Sequence, residues 1–225
     1  WSSEDESELV LKNILGYRDQ EIPLNEMSVL YRNHVQSAVL QVKLTHAGIP
    51  FVIHSGVKFF EQAHIKDITA FLKVLYNPLD EISWMRLLRL LPGIGNNTAF
   101  RIFNVFQDQQ AIRLTKDNDS LQRLIPKKAI NSWIVLQECF QKMLEEKISP
   151  SNMIGIIYND FYRDVLFSSF ENAMQRETDV SYLEEFAVNY DKLETFLNEL
   201  SLVGSSILTD LGSEQHDNQE TLTLT

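Results

Sequence analysis

Strand-forming patterns in this 225-residue chain are confined to its two ends, and nearly everything between them has the period of an α-helix. Residues 27–31 and 51–53 are short apolar runs, and the final five residues, TLTLT, alternate as a strand does. Between the first two runs, residues 35–47 carry a helical period that Gly48 is suited to stop, so residues 27–53 predict a strand-helix-strand unit. Parallel strands joined by a crossover helix need both sheet faces covered, which makes this unit part of a larger α/β layer. Residues 3–16 predict a further capped helix before it. From Ile65 onward the pattern is helical over 65–76, 82–91, 98–107, 129–147, 153–161 and 182–200, and residues 202–219 read as a polar loop. The predicted fold is therefore mostly α: a small α/β fragment of parallel strands and a crossover helix, carrying a large all-helical insertion.

Inside the insertion, residues 87–103 read LLRLLPGIGNNTAFRIF, two apolar helical stretches separated by Pro92-Gly93-Ile94-Gly95. Gly93 and Gly95 can adopt positive φ and leave the backbone bare, while Asn96, Asn97 and Thr98 are of the types found at helix starts. Free amides then converge at one point, backed by the positive end of the next helix, an arrangement that holds a phosphate without reading a base. Such a corner also serves merely to turn a chain between packed helices. Leu91, Thr98, Ala99, Arg101 and Ile102 extend the likeness to a helix-hairpin-helix, a small clamp on the DNA backbone. Gly93, Ile94, Gly95, Asn96 and Thr98 are the resulting candidate phosphate-binding set.

A net charge of -11 taken over the whole chain opposes nucleic acid, yet its distribution does not. Residues 1–27 carry -5 and residues 171–225 carry -10, residues 104–170 are neutral, and residues 28–103, which hold the glycine turn, carry +4. A few phosphate contacts predict weak, salt-sensitive binding. With 44% hydrophobic residues the chain can build a sizeable core, and no apolar run approaches the roughly 20 residues that span a bilayer. Its acidic start, WSSEDESE, is unlike a signal peptide, so a cytoplasmic protein without membrane contact is expected. The single cysteine, Cys139, lies at helical spacing among Trp133, Leu136 and Phe140 and predicts a buried thiol. Enzyme signatures are absent: no GxxxxGK(S/T) phosphate loop, no GxSxG elbow and no Cys-His metal spacing. His34, His46, His54 and His64 are irregularly spaced, without acidic partners in register.

The run from Ser28 to Gly95 carries a longer pattern: Leu30-Tyr31-Arg32, Gln36-Ser37, Gly48-Ile49-Pro50, Gly56, Phe59-Phe60, Ile65-Lys66-Asp67 and Gly93-Ile94-Gly95. In order and spacing it resembles the second half of a UvrD/Rep-type superfamily 1 DNA helicase, and TLTLT resembles the strand leading into that family's motif V. The resemblance implies that residues 1–58 and 213–225 belong to subdomain 2A, a RecA-like motor half, and residues 59–212 to the helical subdomain 2B. It implies an ATP-dependent 3'-to-5' DNA helicase as parent, with ATP and Mg2+ handled by an N-terminal motor half outside this sequence and none bound to this piece. DNA is the implied partner, single-stranded through 2A by Arg32, His34, Gln36 and Ser37, and duplex through 2B by the glycine turn.

The family's pattern is not kept throughout. Its asparagine two places after the LYR arginine falls on His34, its arginine after QS is Ala38, its GG..FF.R.EIKD run has Ser55, Gln62 and His64, and an arginine often found before GIG is Pro92. Helix capping is the structural expectation for Ser37, and core packing for Phe59 and Phe60. Lys66 and Asp67 are expected to pair with each other or stand solvated. Two other function classes fit the residues: a non-enzymatic helix-hairpin-helix DNA-binding module, and a helical protein-docking domain with acidic flanks.

Overall fold

A computed structural model describes residues 3–31, 34–53, 59–109, 123–145, 148–205 and 220–225. The chain divides into two compact units, residues 1–62 with 198–225 and residues 63–197.

The first unit is α/β. Helix α1 (Ser3–Arg18) precedes β1 (Ser28–Val29), α2 (His34–His46) and β2 (Phe51–Ile53), and β3 (Leu222–Leu224) returns from the far end of the sequence. All strand pairs are parallel, in the order β1-β3-β2, with Val29 opposite Leu224 and Ile53 also opposite Leu224. The TLTLT tail is thus the central strand. Its leucines explain the placement: Leu222 and Leu224 are fully buried against Ile14, Leu24, Leu40, Leu44 and Ile49. Gly48, at φ 64°, ends α2 in the left-handed conformation that only glycine adopts without strain, and lets the Ile49 amide return to the Leu44 carbonyl at 2.9 Å.

The second unit is helical throughout its described residues: α3 (Ala63–Tyr76), α4 (Glu81–Leu88), α5 (Asn96–Gln109), α6 (Ile130–Glu145), α7 (Pro150–Ile157), a π-helical turn (Tyr158–Tyr162), α8 (Arg163–Ser169), α9 (Ala173–Ala187) and α10 (Leu193–Ser205), the last of which extends past this unit. Helix α3 is buried on nearly every side, and its Phe71 stacks on Phe140 of α6 with ring centres 5.8 Å apart. One expectation is corrected here. The continuous helix predicted over 182–200 is two helices, because Val188 and Tyr190 amides close on Glu185 and Ala187 carbonyls and a ring cluster of Phe186, Tyr190 and Phe196 fills the corner. No glycine or proline marks that break; aromatic packing makes it.

Candidate nucleic-acid interface

Helix α4 is set at both ends. Asp80 caps it, its carboxylate accepting from the Ser83 amide at 3.1 Å and the Ser83 hydroxyl at 2.7 Å. One turn in, the buried Trp84 donates through Nε1 to the Pro78 carbonyl at 2.9 Å and lies 5.9 Å from the Phe140 ring. The helix then tightens, with Leu90 and Leu91 amides bonding to Leu87 and Leu88 carbonyls, and the chain turns at Gly93, φ 78°. Helix α5 starts at once, the Ala99 amide bonding to the Gly95 carbonyl at 2.9 Å.

This turn has two faces. Leu91, Ile94, Ala99, Ile102 and Phe103 are buried beneath it, while Gly93, Gly95, Asn96 and Asn97 are exposed above. The first four amides of a helix, counted from its cap, have no partner within it. Among the described residues, the amides of Gly95, Asn96, Asn97 and Thr98 find no acceptor at all, and they stand at the positive end of a fourteen-residue helix. Ile94 plays another part: its amide bonds to the Leu91 carbonyl at 3.2 Å and its buried side chain pins the turn down.

The two glycines, both able to adopt positive φ, differ. Only Gly93 is left-handed. At Gly95 a Cβ would meet nothing within 4 Å, so glycine there leaves the amide face open rather than relieving strain.

Sequence reasoning missed two cations. A Cβ at Gly93 would lie 3.9 Å from Pro126 Cβ, which brings the segment Pro126-Lys127-Lys128 against the turn from more than thirty residues away. Lys127 and Lys128 are exposed, as are Arg89 and Arg101 on the helices flanking the turn, and none of the four forms an ion pair among the described residues. The adjacent lysines were legible; their neighbour was not, since no local spacing encodes that contact.

The remaining candidates belong to the α/β unit. Arg32 lies outside the described residues, and His34 and Gln36 occupy the first turn of α2. Ser37, expected to cap α2, is instead the fourth residue of that helix, 1% exposed, with its hydroxyl accepting from Gln41 Nε2 at 2.9 Å. Phe59 is buried with Phe60 edge-on at 5.0 Å, a core pair. Asp67 pairs not with the exposed Lys66 but with Arg86 and Tyr162. His46 and His64 do have acidic partners, Glu199 at 2.9 Å and Asp179 at 3.1 Å, which the sequence hides because they come from distant helices. Burial pushes the Cys139 thiol up to about 12, so it stays protonated and inert.

A cavity of about 310 Å³ between α1 and β1 is lined largely by apolar groups such as Ile14, Tyr17, Met27 and Val29, with no Lys or Arg among its described lining residues. Among the described residues no group of three or more His, Cys, Asp or Glu could hold a metal ion, and no helix is long and apolar enough to cross a membrane.

Comparison with known proteins gives the family. The family model of the UvrD-like helicase C-terminal domain matches residues 2–203. The ATP-dependent DNA helicase PcrA of Staphylococcus epidermidis is 30% identical over 234 aligned positions, which cover 98% of this chain and 31% of that protein. PcrA of Staphylococcus aureus is 26% identical over 216 positions, covering 92% of this chain and 29% of that protein. The chain therefore spans about three-tenths of the length of the curated relatives it matches.

Proposed function

The chain belongs to the UvrD-like helicase C-terminal domain family, and on that premise we propose that it is the 2A/2B part of an ATP-dependent DNA helicase that moves 3'-to-5'. The helical unit, residues 63–197, is subdomain 2B, and its glycine turn holds the backbone of duplex DNA. A phosphate sits over the amides of Gly95, Asn96, Asn97 and Thr98, and Arg89, Arg101, Lys127 and Lys128 neutralise its neighbours. Amides and lysines on phosphates carry no sequence information, which suits a protein that travels over any sequence. The α/β unit is part of subdomain 2A, and Arg32, His34 and Gln36, which follow β1 in the sequence, are its single-strand contacts, since ligands of parallel sheets bind at the carboxyl ends of strands. One observation supports the duplex reading above the rest: four unpartnered amides stand exposed at a turn that Pro126, the residue before Lys127 and Lys128, approaches.

ATP and Mg2+ belong to the motor of the parent. The residues of this chain do not fit them, since it contains no GxxxxGK(S/T) loop to cradle the phosphates. No ATP hydrolysis is expected from this chain alone; DNA-stimulated phosphate release by the purified chain would refute that.

Fluorescence anisotropy with a short duplex across a salt series tests the interface. Each phosphate neutralised adds about 0.9 to the steepness of log K against log salt, so replacing both Lys127 and Lys128 with alanine is expected to flatten the slope by about 1.8. An unchanged slope would remove the lysines from the interface. Duplex binding indifferent to the glycine turn as well would favour the protein-docking reading.

A further inference from the structure

Asp67, from the Ile65-Lys66-Asp67 motif, sits in the helical unit apart from the phosphate-facing surface. Its side chain is almost completely buried and both oxygens are engaged: Oδ1 accepts from Arg86 Nε at 2.6 Å, and Oδ2 from the Tyr162 hydroxyl at 2.6 Å. Arg86 also donates through Nη2 to the Ala63 carbonyl at 3.1 Å, so α4 is tied to α3 at two points. Tyr162 is fully buried and ends the π-helical turn Tyr158–Tyr162. A π turn adds a residue to the helical circuit and re-aims the side chains that follow, and such turns are frequent at functional sites.

Stability alone does not account for burying the Asp67 carboxylate against a half-buried arginine, because apolar residues of similar volume stabilise a core as well or better. What the pair supplies is direction. Apolar contacts allow a short helix to roll and slide, whereas a charged fork bound at fixed angles does not. Arg86 lies in the last turn of α4, three residues before Arg89, from which the chain departs toward the glycine turn.

We propose that Asp67, oriented by Tyr162, is a positioning residue that fixes the roll of α4 through Arg86 and thereby sets the direction in which the Gly95–Thr98 amides face. This role rests on the reading of the turn as the phosphate site. It assigns the IKD aspartate a part in holding DNA without touching it.

The test uses the full chain with Tyr162→Phe, which deletes one oxygen and keeps the ring, Arg86→Gln, and Arg86→Lys, which keeps the charge without the fork. Amide hydrogen exchange and duplex affinity are read for each. In Tyr162→Phe and Arg86→Gln, exchange across residues 87–99 is expected to quicken about tenfold while α6 changes less than about twofold. Duplex Kd should rise about fivefold in Arg86→Gln, with Arg86→Lys recovering part of the loss. Unchanged exchange at the turn overturns the proposal, and so does equal acceleration everywhere, which marks Asp67 as merely structural. A loosened turn with wild-type Kd, while Gly95→Val still weakens binding, overturns it too. If Gly95→Val has no effect on the duplex, the phosphate-site reading itself has failed and the positioning role in binding falls with it.

Discussion

Gly95→Val is expected to weaken duplex binding about tenfold or more, about 1.4 kcal/mol, while leaving the chain folded. The two effects separate because of where the side chain goes. A Cβ at Gly95 meets no atom within 4 Å and the residue is outside the left-handed region, so the only stability cost is that of a poorer helix cap, about 1 kcal/mol. Its isopropyl group then projects over the amides of Asn96, Asn97 and Thr98, where a phosphate has to approach within hydrogen-bond distance. Gly93→Val is a less clean probe, since φ 78° penalises any β-branched residue by about 1–2 kcal/mol and loosens the turn whatever it binds. Anisotropy with duplex, alongside thermal unfolding, distinguishes the two variants. Wild-type affinity in a folded Gly95→Val chain would show that nothing approaches these amides.

Trp84→Ala is expected to destabilise the helical unit by about 3–5 kcal/mol, the range for emptying a large aromatic site in a core. Trp84 is 1% exposed, packs on Phe140, and its indole N–H satisfies the Pro78 carbonyl, which the substitution leaves without that donor. Because Trp84 anchors the helix that delivers the turn, duplex binding should fail together with the unit's stability, unlike in Gly95→Val. Denaturant unfolding followed by far-ultraviolet circular dichroism reads the loss. A change below about 1 kcal/mol would mean that α4 is not packed as described, since surface substitutions alone give so little.

Legibility followed the range of the interaction. The glycine turn could be located because proline, glycine and asparagine act on their own backbone within a few residues, and Gly48 ended α2 for the same reason. The 182–200 segment misled because its break comes from three aromatic rings packing in a corner, with no breaker residue to announce it. Ser37 misled in another way: a serine in the first turn of a helix looks the same whether it faces solvent or the core, and only burial distinguishes the two.

From the amino-acid order alone came the helical body lodged between strands, the turn at residues 93–95 and the family likeness, all carried by periodicity and by conformational preferences that act over one or two helical turns. Tertiary structure decided that the last strand lies between the first two, that Pro126, next to Lys127 in the chain, approaches Gly93, and that Asp67 answers to Arg86 and Tyr162 rather than to Lys66. Those pairings join residues from about 20 to nearly 200 positions apart, and they exist only because burying apolar surface brings the helices and strands that carry them together.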